Sequence, residues 1–380
     1  MNRKTDQPVK KITPLRLLKA LWIFIPLILA AAMYFLLPML PEFTEYAVSR
    51  GLFKIFTIPV GFITSLLPFS LTELLVVLAI PGVIALVVIF IVRMKKSSRR
   101  RRTLLKAGRF LAGFVSFALF IYMTAHGANY YRLSVEQLME LDASSKSTEF
   151  LLKVCKDLAA HAAEERELLA EDENGCVKFD EDIFTELTRT SNGYDALVEK
   201  YPFLWTSVSR QKPVMLSYYW SYTGIAGMYF PFFAECNVNT EQPDFVIPFT
   251  ASHESAHSRG IAFENECNFL AYLSCINSDY PEFRYSGYMN AFKYCSNSLY
   301  SCKKELWAEA YECTTEGMRR DFIAENEYVD RFKGEVQQTS SAVNDGFIKA
   351  QGVSDGTQSY GRVTDLILAH YEKQQSGDAS

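Results

Sequence analysis

The sequence predicts apolar membrane helices followed by a mainly α-helical (α+β) domain, with a short sheet beside one special helix. Three observations carry this. Residues 21–40 and 71–92 are two apolar runs long enough to cross a bilayer. Beyond residue 127 most apolar positions recur at three- and four-residue spacing, the period of a helix. Residues 213–250 break that pattern. Within them Pro213–Trp220 and Tyr229–Val238 are rich in aromatic and β-branched residues, broken by Gly224, Gly227 and Pro231, and read as strands or extended segments.

The chain opens with a basic stretch (Arg3, Lys4, Lys10, Lys11, Arg16, Lys19), a cytoplasmic tail over 1–20. The apolar run after it ends in Pro-Met-Leu-Pro with no small-x-small cleavage site, which favours an uncleaved anchor over a signal peptide. Residues 51–68 are apolar but hold Lys54, Pro59 and Pro68. Nine Lys/Arg fill residues 93–109, and a third apolar run covers 110–126 before Asn129-Tyr130-Tyr131-Arg132. Those tyrosines suit an interfacial belt. Basic segments stay in the cytoplasm, so an even number of spans must separate the N-terminus from residues 93–109. Three spans (about 21–40, 71–92 and 110–126) satisfy this with 51–68 interfacial or re-entrant, and they leave 127–380 extracytoplasmic. If 51–68 crosses, the domain changes side.

Charge divides the same way. The net charge is −4, with +13 in residues 1–109 and therefore −17 in the remainder. An acidic globular part argues against nucleic acid as a partner. The basic run Arg99–Arg102 between two apolar segments reads as a topogenic, lipid-contacting loop. All eight cysteines lie in the acidic part. The even count suits a disulfide-permissive compartment, yet no C-x-x-C occurs, and Cys267 and Cys275 serve equally as small core residues.

Within the domain, helices are expected over 135–141, 148–170 and 181–187, then 264–276, 288–316, 318–336 and 363–371, with a turn-rich loop over 352–361. The acidic cluster at 164–173 lacks the order of a calcium loop and reads as a solvated helix end.

The chemistry concentrates at His253-Glu254-Ser255-Ala256-His257, an H-E-x-x-H pattern. Four residues apart on a helix, His253 and His257 share a face and can offer ring nitrogens to one metal ion. Glu254 lies about 100° round the helix, placed to act as a base toward water at the open coordination position. Gly260 marks a left-handed helix end, and a second helix begins near Glu264. Two residues span about 200°, so Glu264 and Glu266 face different ways. Glu266 shares its face with Phe269, Leu270 and Leu273 and points inward, where an acid is costly unless paired or metal-bound. Glu266 is therefore the expected third ligand. Glu264, on the face of Asn268 and Ala271, is expected as a helix-start charge or outer partner.

Together with Gly260 and Glu264-x-Glu266-Cys267-Asn268-Phe269-x-Ala271, the motif resembles the H-E-x-x-H…E-x-E-A-N-x-x-A arrangement of gluzincin-like metallopeptidases. It is most similar to the DUF3810 family of bacterial membrane proteins. Tyr229-Phe230-Pro231-Phe232, Asn237-Val238-Asn239 and Ser359-Tyr360-Gly361-Arg362 extend the resemblance over most of 127–372, with Cys267 standing where the family has alanine. The resemblance implies a zincin-like metallopeptidase domain, one Zn2+ ion, and a protein or peptide substrate. Peptide hydrolysis also needs a donor for the developing oxyanion. Tyr360 and Arg362, in the matching loop, rank ahead of His370, although a loop anchor and a helix-start ion pair explain them equally well. His126 and His161 read as incidental. The competing function is a non-catalytic metal-binding sensor or envelope assembly protein.

Overall fold

A computed structural model describes residues 21–351 and 362–377. The basic tail and the loop containing Tyr360 lie outside the described residues. The protein is mainly helical with one small three-stranded sheet.

Among the described residues, four helical stretches are long and apolar enough to cross a membrane: Trp22–Met39, Pro41–Ser65, Leu71–Lys96 and Arg100–Ala125. The first contains α1 (Ile25–Leu36) and the second ends in α2 (Phe53–Ser65), while α3 (Leu71–Lys96) and α4 (Arg100–Ala125) form a hairpin through Ser97–Arg99. Helix α1 packs along α4, where Ser116 Oγ accepts the Leu27 N–H at 2.9 Å. Ala30, Leu37, Val48, Met123 and Ala128 close one end of that pair.

The stretch Pro41–Ser65 differs from its neighbours because one face is built into the domain. Glu45 is fully buried against Arg132, with Nε–Oε2 at 2.7 Å. Phe53, Thr57, Gly61 and Thr64 are buried, and Thr64 and Ser65 donate to the carbonyls of Phe233 and Val208. The opposite face leaves Ile55, Phe62, Ile63 and Leu66 exposed.

The domain core is built on α5 (Thr148–Arg166), followed by α6 (Ile183–Thr188) and α7 (Thr190–Lys200). Helix α7, at 190–200, has no counterpart among the expected helices. Strand β1 (Gln211–Pro213) precedes the short α8 (Ser217–Ser221), then β2 (Gly227–Phe230) and β3 (Glu235–Val238). The sheet order is β1-β3-β2, with Gln211 paired to Cys236 in parallel and Gly227 to Val238 antiparallel, so β2 is an edge. Both β2 and β3 pack on α9 (Ile247–Ser258), which is followed by α10 (Glu264–Ile276).

The expected long helix over 288–316 is instead α11 (Pro281–Cys302) and α12 (Lys304–Glu312), and that over 318–336 is α13 (Glu316–Phe332). Next come α14 (Glu335–Ala350) and the closing α15 (Val363–Gln375). Helix α11 carries the widest packing, against α5, α10 and α9, around Phe269, Tyr285, Met289 and Phe292. All eight cysteines are free thiols, Cys267 and Cys275 both within the core.

Candidate metal centre

The motif helix α9 is buried along nearly its whole length. Gly260 ends the turn after it at φ +83°, the left-handed conformation expected there. Arg132 donates to the Gly260 carbonyl at 2.8 Å and Trp205 to the Arg259 carbonyl at 3.0 Å, which fixes the reversal leading into α10.

That reversal returns Glu264, not Glu266, to the histidines. Glu264 Oε2 lies 3.1 Å from His253 Nε2 and 3.7 Å from His257 Nε2. Each ring is held from behind, because His253 Nδ1 lies 2.8 Å from Asn268 Oδ1 and His257 Nδ1 lies 2.9 Å from the Ile261 carbonyl. An Nδ1–H donated to each acceptor leaves the Nε2 edge of each ring toward Glu264, the edge from which such an imidazole would bind a metal. Burial opposes ionisation of Glu264, but His257 and His253 more than offset it and hold the carboxyl well below the usual range. Burial likewise opposes a charged His257, yet Cys267 and Glu264 raise its pKa, so a bound cation would displace a proton there.

Glu266 sits elsewhere. It is buried, but its Oε1 accepts the Val135 N–H at 2.8 Å, and burial lifts its pKa to about 7. The inward face of α10 was expected to carry the ligand. That face turns toward the core, where a backbone N–H satisfies the acid, whereas the first residue of α10 sits opposite α9. Cys267 also lies close to the pair, its Sγ 3.3 Å from His257 Nδ1. It reaches the ring edge opposite Glu264, already engaged by Ile261, and with the two histidine rings forms a group close enough to share an ion.

Glu254 is buried on the neighbouring side. Among the described residues its Oε2 has no hydrogen-bond partner, and burial raises its pKa against the opposing pull of the two histidines. A backbone hydrogen bond from Tyr229 on β2 holds the carboxylate. Gly227 permits this approach: a Cβ there would come 2.6 Å from Glu254 Oε1. An unsatisfied buried carboxylate oxygen beside two aligned imidazoles and a second acid is a donor set that fits a divalent cation with an open position.

These groups face a cavity of about 920 Å³, also lined by His126, Tyr229, Tyr294 and Phe347. His126 is a finding the sequence did not suggest. It follows α4 directly, its ring is 5.7 Å from that of His257, and burial lowers its pKa to about 3. Asn268 was legible as a neighbour of Glu264 on one helix face, four residues on, but not as the partner of His253. Of the expected oxyanion donors, Arg362 caps the start of α15, where its charge acts on Asp365, and His370 packs edge-on against Phe269 at 5.9 Å. Neither lines the cavity. Tyr360 lies outside the described residues. His161 stacks on Tyr288 at a helix surface.

Residues 48–368 match the family model described as "Protein of unknown function (DUF3810)", and the chain belongs to that family. No curated protein and no solved structure matches it.

Proposed function

We propose that the protein is a membrane-anchored zinc-dependent metallopeptidase of gluzincin-like design, with a zincin-like domain in which His253, His257 and Glu264 hold the metal. The single observation that supports this most is the convergence of Glu264 Oε2 on both Nε2 atoms beside the unpartnered Glu254 Oε2. A bound zinc ion would supply Lewis acidity, polarising a carbonyl and lowering the pKa of water.

Glu254 takes the proton from the attacking water and passes it to the departing amine. Water thus divides across the C–N bond: hydroxyl to the carbonyl carbon, hydrogen to the nitrogen. The outer edge of β2 runs beside Glu254, which takes the Tyr229 N–H, and its remaining outward backbone groups can meet an extended peptide. Arg362 and Tyr360 have no part in this reading as it stands.

The basic residues of the α3–α4 turn lie at one end of the membrane helices, and His126 and the domain at the other. With the basic turn cytoplasmic, the metal centre is extracytoplasmic. The competing reading, a metal kept only to brace the fold of a sensor or assembly protein, has no use for an unpaired buried acid at the open position. Metal analysis of the purified full chain, paired with cleavage of a denatured protein by wild type and Glu254→Gln, tests the proposal. Stoichiometric zinc with cleavage lost in the variant is expected. Zinc with no cleavage by wild type would favour the structural role.

A further inference from the structure

The wall of the cavity contains part of a membrane helix. Tyr122 belongs to the last turn of α4, and it lines the same space as His253, Glu254 and His257. It meets Phe347 of α14 edge-on at 6.0 Å. His126, the first residue past that helix, stands 5.7 Å from the His257 ring. One helical turn rises about 5.4 Å, so the candidate metal centre lies within roughly two turns' length of the apolar span.

Two further surfaces continue this level. The outer face of α2 presents Ile55, Phe62, Ile63 and Leu66, while its inner face supports the Gly260 reversal through Phe53. On the side of the sheet, the loop between β1 and α8 is pinned to the start of α3, where Glu73 accepts the N–H groups of Met215 and Leu216 at 3.0 and 2.7 Å. Met215 and Tyr219 in that region are 81% and 67% exposed, an outward apolar surface at the mouth of a membrane helix. Aromatic and apolar side chains at this level suit the headgroup boundary. Strand β2, the edge proposed to pair with substrate, follows α8 and lines the cavity itself.

We propose that the substrates are juxtamembrane segments of polypeptides anchored in the same bilayer, cut within a few residues of their anchor. This rests on the hydrolase reading above and narrows it. A site at this depth sits where a chain leaving the lipid is still extended close to the surface. About ten extended residues reach about 33 Å, beyond which the segment has left this level.

The test uses the full chain in lipid nanodiscs of phosphatidylcholine and phosphatidylglycerol. The probes are a pool of fluorogenic peptides of mixed sequence, free or joined to a synthetic apolar helix by a spacer of about 6 or about 30 residues. Both anchored forms are confined to the same bilayer and differ in distance from the lipid, and photocrosslinking of each at saturating peptide removes the effect of tether length on local concentration. Cleavage by wild type is read alongside photocrosslinking in Glu254→Gln carrying a benzophenone amino acid in place of Phe347. The short-spacer pool should be captured and cut about tenfold or more over the long-spacer pool. Equal capture of the two anchored pools, or no capture of any, overturns the proposal. Equal cleavage of both would do the same and leave the hydrolase reading intact. Preferential capture with no cleavage would overturn the hydrolase reading and leave a juxtamembrane docking site.

Discussion

The Glu264 carboxylate meets His253 Nε2 at 3.1 Å from across the Gly260 reversal, while Glu266, two residues on, is bonded to the Val135 N–H. The two acids therefore have separable roles. Glu264→Ala should lower metal affinity by more than the roughly 10- to 100-fold typical of losing an outer partner. Glu266→Gln keeps an acceptor for Val135 and should bind metal as wild type does. Titration of both purified variants with zinc decides the assignment. Metal loss in Glu266→Gln alone would reverse it.

In the proposed reading Glu254 separates binding from chemistry: among the described residues its Oε2 has no hydrogen-bond partner, as suits a base rather than a ligand. Glu254→Gln should keep the metal and lose about 10²- to 10⁴-fold in turnover, the range for a general base. A variant that lost the metal as well would place Glu254 in the coordination shell.

Much of this geometry was legible in the sequence, and the structure differs from the expectation in which acid meets the histidines. The spacing of His253 and His257 and the break at Gly260 follow from helix geometry alone, and the structure keeps both. The choice between Glu264 and Glu266 turned on which face of α10 meets α9. Apolar neighbours identify the face toward the core, and Glu266 is on it. The loop that aims the helix start at α9 depends on Arg132 and Trp205, distant in sequence, and no local pattern carries that. His126 escaped for the same reason: a histidine one residue past an apolar run gives no local sign that His257 lies beside it. Of the two extended segments expected, 229–238 overlaps β2 and β3, whereas 213–220 holds the short helix α8 and meets β1 only at Pro213; the pairing order had no local signal.

Asn268 orients His253 through Nδ1 at 2.8 Å. Asn268→Ala removes that acceptor and frees the ring to rotate or change tautomer. Zinc affinity should fall roughly 10- to 100-fold with the fold intact. Circular dichroism together with a competition titration against a chelator measures both. Unchanged affinity would mean that packing alone positions the ring.

Gly227 sets the distance between β2 and Glu254. An added Cβ would lie 2.6 Å from Oε1 and 2.8 Å from Cγ of Glu254. Gly227→Ala must therefore push the strand or the carboxylate aside, and misplacement approaching 1 Å costs about 10²-fold in rate. Turnover should drop while zinc content stays at wild-type stoichiometry. Undiminished turnover would show that the strand does not position the acid.

Glu186 gives the fold its own pH dependence. It is buried beside Arg189, 2.6 Å from Nη1. Burial raises its pKa to about 7, with Arg189 opposing and Glu282 adding to the rise. A carboxyl whose pKa is higher folded than unfolded binds more protons when folded. Its stabilising effect is complete below the unfolded value and is lost as pH rises through about 7. The slope is at most about 1.4 kcal/mol per pH unit in that window. Glu186→Gln removes the titration, so thermal unfolding in detergent should show the variant gaining on wild type from pH 5 to pH 8, the interval this pKa brackets. Parallel profiles across that interval would mean that Arg189 keeps the carboxylate ionised throughout.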